Sequence, residues 1–137
     1  MSANQLFSVL NLTAAVGWLL LAASPRWPRL IDVAGRVFPI AFAFVYVTVI
    51  ALNWRGSEGG FGSLPDVAAL FANPWLLLAG WTHYLAFDLF VGAWETRDSR
   101  EQRIPHVFLL PCLLLTFMFG PGGLLLYLAV RSGFARA

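Results

Sequence analysis

Four stretches of this chain are too long and too free of charge to be the helices of an ordinary soluble domain. Leu6 to Ala23, Val37 to Trp54 and Val107 to Val130 hold no acidic or basic side chain, and Pro74 to Trp94 holds one acid, Asp88, with one histidine, His83. A bilayer core of about 30 Å is crossed by about 20 mostly apolar helical residues. A helix at a water surface needs a polar face, and these stretches have almost none. Composition agrees. Hydrophobic residues make up 59% of the chain and charged residues 12%, against about 25% charged in a typical soluble domain. The sequence therefore predicts an all-α integral membrane protein. It reads as a single four-helix transmembrane domain over residues 1–137, with transmembrane helices at about 6–23, 37–54, 74–94 and 107–130. The first stretch lacks the basic flank and small-residue cleavage site of a signal peptide, so it is expected to stay as a membrane helix.

The polar residues between the spans suggest an orientation. The net charge is +2, carried by nine arginines and no lysine, too few and too scattered for a nucleic-acid surface. Arg26, Arg29 and Arg36 fall in the first connection, and Arg97, Arg100 and Arg103 in the third. Only Arg55 falls in the second, with Arg131 and Arg136 in the tail. By the positive-inside rule, connections one and three face the cytoplasm and both termini face outward, in what is expected to be a bacterial inner membrane. The run Glu95 to Arg103 is mixed in sign and reads as a solvated linker touching lipid headgroups. The second connection is glycine-rich at Arg55 to Gly62, followed by Ser63 and a helical spacing of Leu64, Val67, Leu70 and Phe71. That predicts a short helix over about 64–71, either on the membrane surface or packed on the helix ends.

Helix three carries the chemistry. Tyr84, Asp88, Val91 and Glu95 share one face. A carboxylate at membrane depth costs about 2.5–3.5 kcal/mol on insertion scales, so Asp88 offsets the gain from several apolar residues. His83 sits about 140° around the helix from Asp88 and is a further candidate acid–base group. Glu95, His106 and the arginines Arg26 and Arg36 are expected at the same end of the bundle. Three readings stay open. Asp88 and Glu95 could be neutralised by Arg26 or Arg36 in a structural ion-pair network, or form an acid–base or ligand site, or hold a divalent metal together with His106. The lone Cys112 permits neither an internal disulfide nor a cysteine zinc site. Pro111 and the run Gly120-Pro121-Gly122-Gly123 interrupt the fourth stretch, either as a kink opening a crevice or as a place of close helix contact. Gly17, Gly80, Gly92, Gly120 and Gly123 allow such contact, and a homodimer is expected.

The string Gly80-Trp81-x-His83-Tyr84-Leu85-Ala86-Phe87-Asp88-Leu89-Phe90-Val91-Gly92-x-Trp94-Glu95-x-Arg97-Asp98 is long and unusual. It continues in Ile104-Pro105-His106, Pro111-Cys112-Leu113 and Phe117-Met118-Phe119-Gly120-Pro121-x-Gly123-Leu124-Leu125-x-Tyr127. Over nearly its whole length the chain resembles the abscisic-acid-deficient-four-like family of small membrane proteins. In plants that family is associated with forming neoxanthin, an allenic carotenoid, from the epoxide violaxanthin. The resemblance implies a carotenoid or polyprenoid ligand, but it carries over no catalytic residues. Plant members bring a plastid-targeting extension that is not seen here, which points to a bacterial-type member.

Epoxide opening to an allene is an isomerisation. It needs a proton delivered to oxygen and one removed from carbon, and no cofactor is required. Desolvation favours the protonated form of a carboxyl group, so Asp88 can be the acid, with Glu95, His106 or His83 as the base. Trp81, Tyr84, Phe87, Phe90 and Trp94 could line a slot for a flat polyene, with Arg26 and Arg36 at its end. The expected function is a membrane isomerase or isomerase subunit acting on a carotenoid-like lipid. The alternative is a non-catalytic pigment- or lipid-binding partner of a biosynthetic enzyme. A small transporter is a third class, disfavoured because helices one and two do not echo three and four.

Overall fold

The computed structural model describes residues 1–134 and is all-helical over them. Helix α1 (Ala3–Ala23) starts at a capping box: Ser2 Oγ accepts from Gln5 N, and Ser2 N donates to Gln5 Oε1. It stops at Ser24-Pro25: Ser24 N still donates to Leu21 O, but Pro25 has no N–H with which to continue the ladder. A second rod runs from Arg29 to Asn53 through α2 (Arg29–Asp32), a π-helical segment (Val33–Val37) and α3 (Phe38–Asn53). The short α4 (Leu64–Phe71) is capped by Ser63, whose Oγ accepts from Asp66 N at 3.2 Å. Its Leu70 is buried, and the Phe71 ring closes over Gly80. Of the two readings of this helix, packing on the helix ends is therefore realised at these residues.

Helix α5 (Pro74–Glu101) is the axis of the bundle. It begins at Asn73, whose side chain accepts from Trp75 N, with Pro74 in the first turn, where a missing N–H costs nothing. It packs against α1, α3, α4 and both helices that follow. At 28 residues it is about 42 Å long, longer than a bilayer core. The run from Glu95 to Glu101, expected as a solvated linker, is thus the last two turns of this helix. Glu95, Thr96, Asp98 and Ser99 are buried there.

The largest departure from expectation is the fourth stretch. It is not one span but two helices, α6 (His106–Phe119) and α7 (Pro121–Phe134), of 14 residues each. They are joined at Gly120, whose φ is +41°. Pro111 lies inside α6 without ending it. Phe108, near the start of α6, meets Phe134, at the end of α7, with ring centroids 5.4 Å apart. The two helices are therefore antiparallel. Gly123 lies directly on the backbone of Thr116, with no room for a side chain. Each arm is about 21 Å long, too short for a bilayer core of about 30 Å. Three helical rods among the described residues, Ala3–Ala23, Arg29–Asn53 and Pro74–Glu101, are long and apolar enough to cross a membrane.

The hairpin also moves the C-terminal end. Arg131 of α7 is bonded to Asp98 near the end of α5, while Ala3 and Asn4 lie beside Pro74 at its start. The first and last described helix ends are at opposite ends of the bundle, not on one side as expected. Arg136 lies outside the described residues. The glycines expected to mediate close contact do so within the chain: Gly17 against Leu89, Gly92 against the Trp18 ring, and Gly120 against Asp88.

Candidate functional site

The face of α5 that carries Tyr84, Asp88 and Glu95 is the face the hairpin covers. Tyr84 Oη donates to Phe117 O at 3.1 Å, satisfying a carbonyl in the last turn of α6 that the helix break leaves open. One turn on, the Asp88 carboxylate lies against Gly120, where an added Cβ would come within 2.7 Å of Oδ1. Asp88 Oδ2 is buried and has no hydrogen-bond partner among the described residues. The group stands at the N-terminal end of α7, where the helix dipole favours negative charge. From Asp88 to Glu101 is about 20 Å of helix, which matches the length of the hairpin arms. The tip of the hairpin therefore meets α5 at Asp88, half-way along it.

Glu95 is fully buried and is held by one group: Thr116 Oγ1 is 3.0 and 3.1 Å from its two carboxylate oxygens. Asp98 is the next acid down the same seam. It accepts from Tyr127 Oη and from Arg131, whose Nε is 2.7 Å away. Thr116, Tyr127 and Asp98 were not anticipated as partners. Asp98 follows Glu95 at i+3, a same-face spacing, and would have been noticed had the helix been read past Glu95.

The ion-pair reading, with Arg26 or Arg36 neutralising Asp88 and Glu95, is not realised among the described residues. Arg26 lies over the Trp27 ring, Arg36 is exposed beside Asp32, and the half-buried Arg97 reaches the same carboxylate at 3.5 Å. The ion pairs that α5 does make among these residues are Arg97 with Asp32 of α2 and Asp98 with Arg131 of α7. His106 does not join the carboxylates either: its Nε2 is 2.9 Å from Ala22 O. Among the described residues no three metal-ligating side chains come together, so Asp88, Glu95 and His106 are not grouped as the metal reading would need. His83 faces another way, between the rings of Tyr46 and Phe87.

The five expected aromatic residues do not line a common slot. Trp81 and Tyr84 do share one: with Phe7, Phe71, Leu77 and Leu78 they line an apolar groove of about 510 Å³ between the first halves of α1 and α5. Trp81 is anchored there by its Nε1, which donates to Asn11 Oδ1 at 2.8 Å. Asn11 thus bonds across to a neighbouring helix, whereas Thr13 bonds back within its own helix, to Val9 O. Phe87 stacks on His83, Trp94 sits edge-on to Tyr127, and Phe90 is exposed.

The arrangement amounts to an apolar groove whose inner end is one helical turn from a half-buried carboxyl at mid-depth. Such a pair can bind a long apolar molecule and exchange a proton with it. Neither a curated protein nor a solved structure matches the chain. The family-level comparison does find a match, over residues 5–127, and it places the chain in the family its helix-three string resembles: this protein belongs to the ABA DEFICIENT 4-like family.

Proposed function

We propose that the chain binds a carotenoid-like isoprenoid lipid in the groove between α1 and α5 and that Asp88 moves a proton on it. Membership of the family associates the chain with the neoxanthin branch of carotenoid chemistry. The observation that carries the reading is Asp88 itself. It is an acid half-way along the central helix, next to the groove residue Tyr84, with one oxygen buried and unpartnered. An uncompensated polar atom in such a place is costly, which favours a ligand that uses it.

Glu95 is bonded to Thr116 and stands about 10 Å further along the axis, and His106 lies beyond it. One carboxyl can serve both half-reactions. Protonated Asp88 gives its proton to the epoxide oxygen as the ring C–O bond breaks. The carboxylate left behind takes a proton from carbon as the new C=C bond forms. Atoms and charge balance, and the group returns to its starting form.

The engagement of Glu95 with Thr116 and of His106 with Ala22 O, away from Asp88, supports an alternative, a pigment-binding partner without turnover. Reconstituting the purified chain with an epoxy-carotenoid and chromatographing the pigment separates the two readings. The isomerase gives an allenic product, whereas the binder returns unchanged pigment in stoichiometric amount. For the isomerase, Asp88→Asn keeps the fold, since no cation is stranded, and lowers turnover by ~10²-fold or more. A variant with full turnover would overturn the role of Asp88.

A further inference from the structure

On the other side of α1 a second groove runs down the seam with α6, at the opposite end of the bundle from the first. Ala15, Trp18, Leu19 and Ala22 of α1 face Leu110, Leu114 and Phe117 of α6 across an apolar space of about 470 Å³. These are same-face spacings on both helices. One turn before Leu110 the lining changes character. Ser24, Ser99, Arg100, Arg103 and His106 surround a polar pocket of about 360 Å³. The two linings are neighbours: His106 of the polar pocket bonds through Nε2 to the carbonyl of Ala22 of the groove.

The polar pocket is cationic and unneutralised. No carboxylate lies within ion-pair distance of Arg100 or Arg103 among the described residues. Arg100 Nη1 reaches the Ser24 carbonyl at 3.5 Å, which ties it to the end of α1. Arg103 has φ +55°. It occupies the position after the α5 C-terminus that glycine usually fills, closed by Ile104 N donating to Ser99 O at 2.8 Å. A bulky side chain held in that conformation is an outlier that calls for a role.

We infer that this seam holds one anionic glycerophospholipid of the membrane, its phosphate between Arg100 and Arg103 and one chain in the α1–α6 groove. Arginine binds phosphate oxygens in paired hydrogen bonds, so the head of the site has matching chemistry. The tail has matching length. From His106 to Phe117 is about 16 Å of helix, close to half of a bilayer core of about 30 Å, which is the depth of one leaflet. The arginine-rich end is also where anionic lipid is held by juxtamembrane basic side chains. The site is separate from the Asp88 groove and stands whether or not that groove binds pigment.

Native mass spectrometry of the full chain in detergent, titrated with phosphatidylglycerol or phosphatidylcholine of the same chains, tests the site. The expected result is one retained phosphatidylglycerol per chain, in clear preference to phosphatidylcholine. Removing both cations in Arg100→Gln/Arg103→Gln is expected to weaken retention about 25-fold, about fivefold for each arginine. Arg26→Gln/Arg29→Gln, which removes two arginines outside the pocket, is expected to leave retention unchanged. Leu114→Trp fills the groove with the arginines intact and is expected to lower retention of both lipids, an arm that still reads out should the arginine variant fail to fold. Equal retention of the two lipids by the native chain would overturn the proposal. So would equal losses in the two arginine pairs, or full retention in Leu114→Trp.

Discussion

Asp98 shows how a charged side chain can look like surface in a sequence and be structural in the fold. It stands in a string of alternating charges, yet it is buried and accepts from Tyr127 and Arg131 across the bundle. Tyr127 is fully buried, so its hydroxyl has no water to turn to if Asp98 is lost. Leaving a buried donor unsatisfied costs about 1–3 kcal/mol. Asp98→Ala should therefore lower the thermal midpoint in detergent, and Asp98→Ala/Tyr127→Phe should recover part of the loss by removing the orphaned hydroxyl. If the double variant is as unstable as the sum of the single ones, the bond is not the source of the effect. Asp88 was legible from its depth in helix three alone, because a lone acid in an apolar run is expensive wherever it points. Its surroundings were not. Gly120 lies 32 positions further on, and no periodicity links the two.

At the level of elements, most of the helices could be read from local chemistry. Ser63 and Asn73 cap helices where their side chains can accept backbone N–H groups, and the expected short helix at 64–71 has the bounds observed. The hairpin escaped for a physical reason. Hydropathy counts how much apolar chain there is, and Val107 to Val130 is apolar whether it crosses a bilayer or turns back. Only the glycines around Pro121 mark the difference. A residue with φ +41° followed by proline cannot continue a right-handed helix, and an L side chain there would be strained. The antiparallel arrangement predicts a proximity that a straight helix forbids. With cysteines at Phe108 and Phe134 in a Cys112→Ala background, a short bifunctional thiol reagent should cross-link the two positions within one chain. In one continuous helix they would be about 39 Å apart, and no cross-link would form.

For the molecule as a whole, the hairpin changes the balance of charge between the two ends. Reading four full spans sets six arginines against three, a narrow margin. With α7 turned back, Arg131 joins Arg26, Arg29, Arg36, Arg97, Arg100 and Arg103 at one end, and among the described residues only Arg55 remains at the other. Seven against one is a strong positive-inside signal. It predicts an outward N-terminus, a cytoplasmic C-terminus and an Asp88 groove that opens in the outer half of the membrane. The same rule predicts that the Arg100–Arg103 pocket lies on the cytoplasmic side. Two reporters fused after Ala137 read this directly: green fluorescent protein, which fluoresces only when it stays in the cytoplasm, and alkaline phosphatase, which is active only outside. The expected pattern is fluorescence without phosphatase activity. The reverse pattern would mean that residues 106–134 cross the membrane as one helix. Gly120 could not then rest on Asp88, and the site as described would lose the element that covers it.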